Sequence, residues 1–241
     1  MDKTMRVGIL VNNFSLLNKI TRKIKNSEFN LKHLKNIPNY DHEVDIIVSD
    51  KPLENCIIPH TIIDDLDILE LKIRCAIFGC SDLVIGIDPG GITGLSVIGA
   101  NQILFMDTYK DEKNMSIIID SINLEIGIKA VKIGTGSPPE RTRILKALKK
   151  YSSIVQLVDE ENSGSGSHTK AATRIALRKG ELSIKQNYRP KKGEIAWIQQ
   201  ESRRISKGLV TIDKELAYEI LIGEVSMNQA IKKYTEKIKN R

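Results

Sequence analysis

The sequence predicts an α/β protein in which a mixed sheet is flanked by helices, preceded by a small α/β domain and followed by a helical C-terminal tail. Three observations lead there. Strand-length apolar runs alternate with stretches of helical periodicity over most of the chain. Between residues 83 and 179 these runs follow the order βββαβαβα, and a hairpin-bearing start followed by β-α units gives a mixed five-stranded sheet with helices on its faces. Beyond residue 180 helical patterns dominate. The expected division is therefore 1–80, 81–180 and 181–241, the last a basic helical tail.

In the first part, Met5–Val11 reads as a strand, and Leu16, Leu17, Ile20 and Ile24 give Ser15–Lys25 a helical stripe. Val44–Val48 is a second strand, and Ile57, Ile58, Ile62 and Ile63 a third, broken around Pro59. Asp64–Phe78 reads as a helix with Asp64, Asp65 and Asp67 in its first turn, where the helix dipole favours negative charge. No phosphate loop or catalytic cluster occurs in this part.

After a joint at Gly79–Ser81, Leu83–Asp88 reads as a central strand, and Gly94–Gly99 and Gln102–Thr108 as a hairpin turning at Gly99–Asn101. Asp111–Ile126 is a helix with Ile117, Ile118, Ile122 and Ile126 on one side, stopped by Gly127. Ala130–Gly134 is the next strand. Ser137-Pro138-Pro139-Glu140 opens a helix with a Ser cap, Pro at the first helical position and Glu completing a capping box. Ile154–Val158 is the fifth strand, and a helix runs from about Thr169 to Lys179 after a Gly/Ser loop. In the tail, Gly193–Ser206, Asp213–Leu221 and Met227–Ile238 read as helices, the last with the capping box Ser226-x-x-Gln229. Leu216–Ala230 fits either a helix-turn-helix, whose second helix enters a major groove, or a plain helical hairpin packed on the core.

Composition narrows the function classes. A membrane-spanning helix needs roughly 18 consecutive apolar residues; no such run occurs, and the N-terminus lacks an export signal, so a soluble cytoplasmic protein without a membrane partner is expected. Three cysteines without C-x-x-C spacing argue against disulfide scaffolds and zinc ribbons. Charge is unevenly distributed: residues 1–140 hold 15 basic and 19 acidic side chains, and residues 141–241 hold 22 and 11. Between 170 and 207 the counts are 11 and 3. Such asymmetry is the electrostatic footprint of a polyanion partner, DNA or RNA, although a solvated basic surface gives the same count.

The segment most informative about chemistry is Gly86-Ile87-Asp88-Pro89-Gly90-Gly91-Ile92-Thr93-Gly94. A carboxylate at the end of a buried strand, followed by a Pro-Gly-Gly turn, projects into the crevice beyond the strand ends. Glycines such as Gly90 and Gly91 let a phosphate backbone come close, and Asp88 can hold a hard cation. The run resembles the first strand of the RuvC/YqgF branch of the ribonuclease H-like superfamily, marked by G-I-D-P-G-x-x-x-G. The resemblance covers about residues 82–180 by element order. It implies a ribonuclease H-like sheet and hydrolysis of a phosphodiester in structured DNA or RNA, using two Mg²⁺ or Mn²⁺ ions held by carboxylates from several elements. For its resolvase members it implies a homodimer, although nothing in the sequence marks an interface.

The turn Val158-Asp159-Glu160-Glu161 looks like the V-D-E-R turn of YqgF-like proteins, which supplies a catalytic acid. On that match Glu160 takes the place of the family's Glu, Asp159 that of the preceding Asp, and Glu161 that of Arg; all three also fit a solvated turn. RuvC-like proteins carry aspartates on the last helix in a pattern like D-A-A-D-A-L-A-L. Here the stretch is Lys170-Ala171-Ala172-Thr173-Arg174-Ile175-Ala176-Leu177, so Lys170 and Thr173 stand at the acid positions. Two substitutes are at hand. Glu140 lies near strand ends, where such sheets collect ligands, and also fits a capping role. His168, just before the last helix, fits a ligand or general base near neutral pH as well as an exposed loop residue.

A Gly-rich loop entering a helix presents free backbone N–H groups to an anion. Ser163–Ser167 followed by Lys170, Arg174, Arg178 and Lys179 therefore suits nucleic-acid phosphates, and the Gly134–Ser137 loop offers the same with Arg141 and Arg143. Tyr188 and Trp197, interleaved with Arg189, Lys191 and Lys192, suit stacking on bases, although Trp197 also fits a core position. Three functions follow: a metal-dependent nuclease with Asp88, Glu160, Asp159 and His168 as its working groups; a catalytically inactive nucleic-acid-binding module of the same fold; and an actin-like phosphotransferase, which would need a second such domain.

Overall fold

The computed structural model describes residues 4–25, 28–38, 43–159, 166–182, 190 and 192–239. The chain forms two compact units, Met1–Ile85 with Ser96–Asp107 and Asn114–Ala130, and Gly86–Leu95 with Thr108–Lys113 and Val131–Arg241. No helix among the described residues is long and apolar enough to cross a membrane.

The N-terminal sheet has four strands: β1 (Met5–Leu10), β2 (Phe29–His33), β3 (Ile46–Ser49) and β4 (His60–Ile62), in the order β2-β1-β3-β4. All three pairings are parallel, which requires crossovers. Helix α1 (Phe14–Ile24) makes the first, its N-cap Asn13 accepting from the Leu16 N–H. β2 is an addition to the sequence reading. Its Phe-Asn-Leu-Lys-His pattern buries only Phe29, as an edge strand can, so no apolar run announces it. Helix α2 (Leu69–Phe78) starts later than the acidic stretch predicts. The aspartates are occupied otherwise: Asp65 accepts from the Asp67 N–H in a turn, Asp67 pairs with Lys23, and Asp64 pairs with Lys72.

The second sheet has six strands rather than five: β5 (Leu83–Asp88), β6 (Thr93–Gly99), β7 (Gln102–Tyr109), β8 (Ile128–Gly134), β9 (Val155–Val158) and β10 (Glu181–Leu182). Their order is β10-β9-β8-β5-β6-β7. The extra strand, β10, is two residues long and antiparallel to β9, too short to leave a periodic signal. With helices α3 (Glu112–Glu125), α4 (Pro138–Ala147) and α5 (His168–Leu177), the order from β5 to α5 is the βββαβαβα expected. Ala100 and Asn101, both at positive φ, form the hairpin turn between β6 and β7. In α3 the buried ridge is Met115, Ile119 and Ile122, while Ile117 faces solvent; three consecutive isoleucines left the phase of the stripe ambiguous. Gly127 ends the helix at φ 106°, a conformation that disfavours residues with a Cβ.

The tail folds into α6 (Lys192–Ile205), α7 (Lys214–Leu221) and α8 (Met227–Lys239). Ile198, Ile212, Leu216, Ala217, Ile220, Leu221 and Ala230 bury one core among them. Asp213 caps α7 by accepting from the Leu216 N–H, and Ser226 and Gln229 form the reciprocal capping box expected for α8. α7 and α8 are therefore two members of a three-helix core.

Candidate functional site

The centre of interest is the junction of β5 with the start of α5. β5 is almost entirely apolar, Leu-Val-Ile-Gly-Ile, until Asp88 ends it, and Pro89 keeps the residue before it extended. α5 begins with Ser167 as its N-cap, whose Oγ accepts from the Lys170 N–H at 3.4 Å. The two elements meet closely because glycine stands at both contact points. A Cβ at Gly86 would collide with the Ala172 carbonyl oxygen and lie 2.7 Å from the Ala176 Cβ; a Cβ at Gly94 would collide with the His168 carbonyl. Ala172 and Ala176 are buried, so small residues on both partners let helix and sheet approach. Gly90 lies in a tight turn, where its Cβ would be 3.2 Å from the Ile92 carbonyl oxygen, and Gly91 faces open space. Gly86 and Gly94 thus serve packing, and Gly91 is the glycine of the run that leaves backbone accessible.

This packing sets His168 Nδ1 3.4 Å from Asp88 Oδ2. The Asp88 side chain is 15% exposed and that of His168 48%. Burial pushes the Asp88 carboxyl above its ordinary range; the hydrogen bond and charge of His168, and the charge of Arg174, pull it down without cancelling that effect. The Arg174 guanidinium also lies beside Gly166, near the entry to α5. Asp88, His168 and Arg174 are therefore the predicted residues gathered here. An ionised Asp88 accepts from Nδ1–H and leaves Nε2 as the basic nitrogen of the ring. Lys170 and Lys179 are exposed on or just after α5.

Other predicted residues are engaged elsewhere. Glu140 accepts from Ser137 Oγ at 2.5 Å and from Arg143 Nη2 at 2.9 Å. The capping box at α4 is thereby altered: Ser137 does not cap through its side chain but donates to the Glu140 carboxylate, while Pro138 and Pro139 remove two of the N–H groups that a cap would satisfy. Arg141 is buried and donates to the Thr135 carbonyl at 2.7 Å. Arg143 also binds Glu112. Arg178 donates from Nη1 to the Asp159 carbonyl at 2.8 Å, which ties the end of α5 to the end of β9. Glu160 and Glu161 lie outside the described residues, as do Ser163–Ser165, Tyr188, Arg189 and Lys191.

Among the described residues no group of three or more His, Cys, Asp and Glu side chains is placed to hold a metal ion. Asp88 and His168 supply two donors of the kind a divalent ion accepts, and Mg²⁺ commonly takes one or two carboxylates and keeps several waters. They fit one ion; the described residues do not build a site for two.

Of the two places the sequence left open for Trp197, a stacking surface and the core, the structure excludes the core. Trp197 is 52% exposed and lines a cavity of about 420 Å³ with Thr135, Gly136, Ser137, Pro138 and Glu194. The core face of α6 is Ile195, Ile198 and Ser202, a spacing of three and four that leaves Trp197 one step out of phase. That phase was the readable signal. Residues 191–236, which include most of α6 to α8, match the family model described as a three helical bundle domain. No curated protein matches the sequence.

Proposed function

We propose that the chain is a metal-dependent endonuclease of ribonuclease H-like type, acting on structured nucleic acid at a centre formed by Asp88 and His168. The observation that carries this reading is the 3.4 Å approach of His168 Nδ1 to an Asp88 carboxylate that burial holds above its ordinary pKa range. A carboxyl so perturbed, beside a half-exposed imidazole and an arginine, is the arrangement expected where protons or cations are handled. The G-I-D-P-G run and the βββαβαβα order support the ribonuclease H-like assignment. Without an ion, Asp88 holds the Nδ1–H tautomer of His168; an ion bound between them would displace that proton and take Nδ1 as its second ligand. Lys170 and Arg174 supply positive charge for phosphates entering beside it. A Mg²⁺ or Mn²⁺ ion at Asp88 and His168 would supply Lewis-acid stabilisation of the charge that develops on the phosphate. Asp159, with Glu160 and Glu161 beyond it, remains the proposed source of further carboxylates, and a homodimer the proposed assembly.

The test is incubation of the protein with Mn²⁺ and a panel of branched and linear labelled DNA and RNA. Cleavage of a branched member is expected, together with its loss in Asp88→Asn while that variant still binds the substrate. Equal cleavage by the variant removes Asp88 from the reaction. A second reading, a binding module without cleavage, is favoured by Lys170 and Thr173, which stand where the resemblance requires acids. It predicts binding of the same panel with no product at any divalent concentration.

A further inference from the structure

The cavity beside Trp197 has no part in the chemistry proposed at Asp88. Its volume, about 420 Å³, falls within the roughly 300–1,000 Å³ typical of sites for small organic groups. One wall is the Thr135–Pro138 segment at the end of β8, and internal bonds hold it in place. The Thr135 N–H donates to the Val158 carbonyl at 3.1 Å, and its own carbonyl accepts from the buried Arg141. Ser137 is fixed through Glu140. The rest of the lining comes from Gly193, Glu194 and Trp197 in the first half of α6 and from Leu221 at the end of α7. A cavity held from both sides before any ligand arrives loses little entropy on binding.

The chemistry of the lining selects the occupant. A large aromatic face left half exposed suits a flat ring system, which stacks on it with little regard to sequence. Glu194, which has an interaction of its own within the chain, keeps carboxylate lone pairs that accept hydrogen bonds from exocyclic amino groups, as carboxylates do with the cytosine amino group. The strand carrying such a ring is drawn in by the basic C-terminal part of the chain, with 22 basic and 11 acidic side chains in residues 141–241. We infer that this cavity receives one unpaired, amino-bearing nucleobase of the bound nucleic acid, stacked on Trp197 with its N–H edge toward Glu194. The inference rests on the proposed nucleic-acid binding but not on cleavage.

Trp197 is the chain's single tryptophan, so intrinsic fluorescence reports on this site alone. The experiment titrates the full chain with single-stranded oligocytidylate, oligothymidylate, an abasic oligomer of the same length and free CMP, while fluorescence anisotropy of labelled oligomers measures binding independently. Saturable quenching is expected with oligocytidylate, weaker quenching with oligothymidylate and none with the abasic strand or CMP. Trp197→Ala weakens oligocytidylate binding by about 5- to 100-fold, Trp197→Phe recovers most of it, and Glu194→Gln narrows the preference for cytosine over thymine. Circular dichroism confirms that each variant folds.

If anisotropy finds tight binding, unchanged in Trp197→Ala and without quenching, the inference is overturned while nucleic-acid binding stands. If CMP quenches as well as the oligomer does, the occupant is a free nucleotide, and the inference is again overturned. If no oligomer binds by either readout, the nucleic-acid reading fails, and the inference with it.

Discussion

Asp88 carries a cost that a purely structural residue would avoid. Burial disfavours its ionised form more than His168 and Arg174 restore it, so its folded-state pKa lies above the ordinary value of 3.8. An acid shifted upward contributes stability that is present below that ordinary value and is lost as pH rises through the folded-state value. Asp88→Asn keeps an acceptor for His168 Nδ1–H and removes the charge. The variant therefore melts higher than wild type at neutral pH, and the gap closes as pH falls below the ordinary carboxylate range, as measured by Tm across a pH series. A variant less stable than wild type at neutral pH would contradict this account of Asp88. The residue itself was legible because its signal is local, a run of nine positions in which a strand gives way to a turn. Its pairing with His168, 80 positions away, was not. Sequence flagged both residues, but only the close packing of α5 on β5 and β6 brings them together. Trp197 was legible as a base-stacking residue and equally as a core residue, because the phase of α6 had to be known to decide.

At the scale of elements, the site depends on how α5 is seated. Gly86 and Gly94 admit it, and Lys132 on β8 holds its far end by donating to the carbonyls of Ala176 and Arg178 at 2.8 and 2.5 Å. Those carbonyls are among the last four of a helix and lack intrahelical partners, so a partly buried ammonium is well placed to satisfy them. Gly94→Ala forces the His168 backbone away from β6. It is expected to lower stability by about 1–3 kcal/mol in thermal or denaturant unfolding, as overpacking does, and to reduce cleavage in proportion to the displacement of His168. Gly91→Ala meets nothing within 4 Å and is the matched control, expected to fold as wild type does. Equal stability of the two variants would remove the packing argument. Most elements were legible because their apolar periods are strong, as in β5, β8 and α7. Those misjudged lack that signal. β2 and β10 are exposed short edges, α3 has isoleucines on adjacent faces, and the aspartates before α2 bond to side chains and a turn rather than capping a helix.

At the scale of the whole molecule, the balance of charge agrees with the proposed nucleic-acid partner. The C-terminal 101 residues carry twice as many basic as acidic side chains, and they include α5, the three-helix tail and the α6 and α7 residues that line the cavity beside Trp197. Sequence gave this electrostatic asymmetry directly, since it depends on counting alone. It could not give which arginines face outward, because Arg141, Arg143 and Arg178 resolve into internal partners only once the chain is folded. The central claim is that Asp88 and His168 together form a cation site serving a nucleic-acid reaction. Calorimetric titration of the wild-type chain with Mn²⁺, alongside Asp88→Asn and His168→Gln, tests it most directly. The account predicts saturable binding in the wild type and a loss of about 10- to 100-fold in affinity in each variant, the size typical when a group that positions a metal is removed. No saturable binding in the wild type, or the same isotherm in all three proteins, would contradict it.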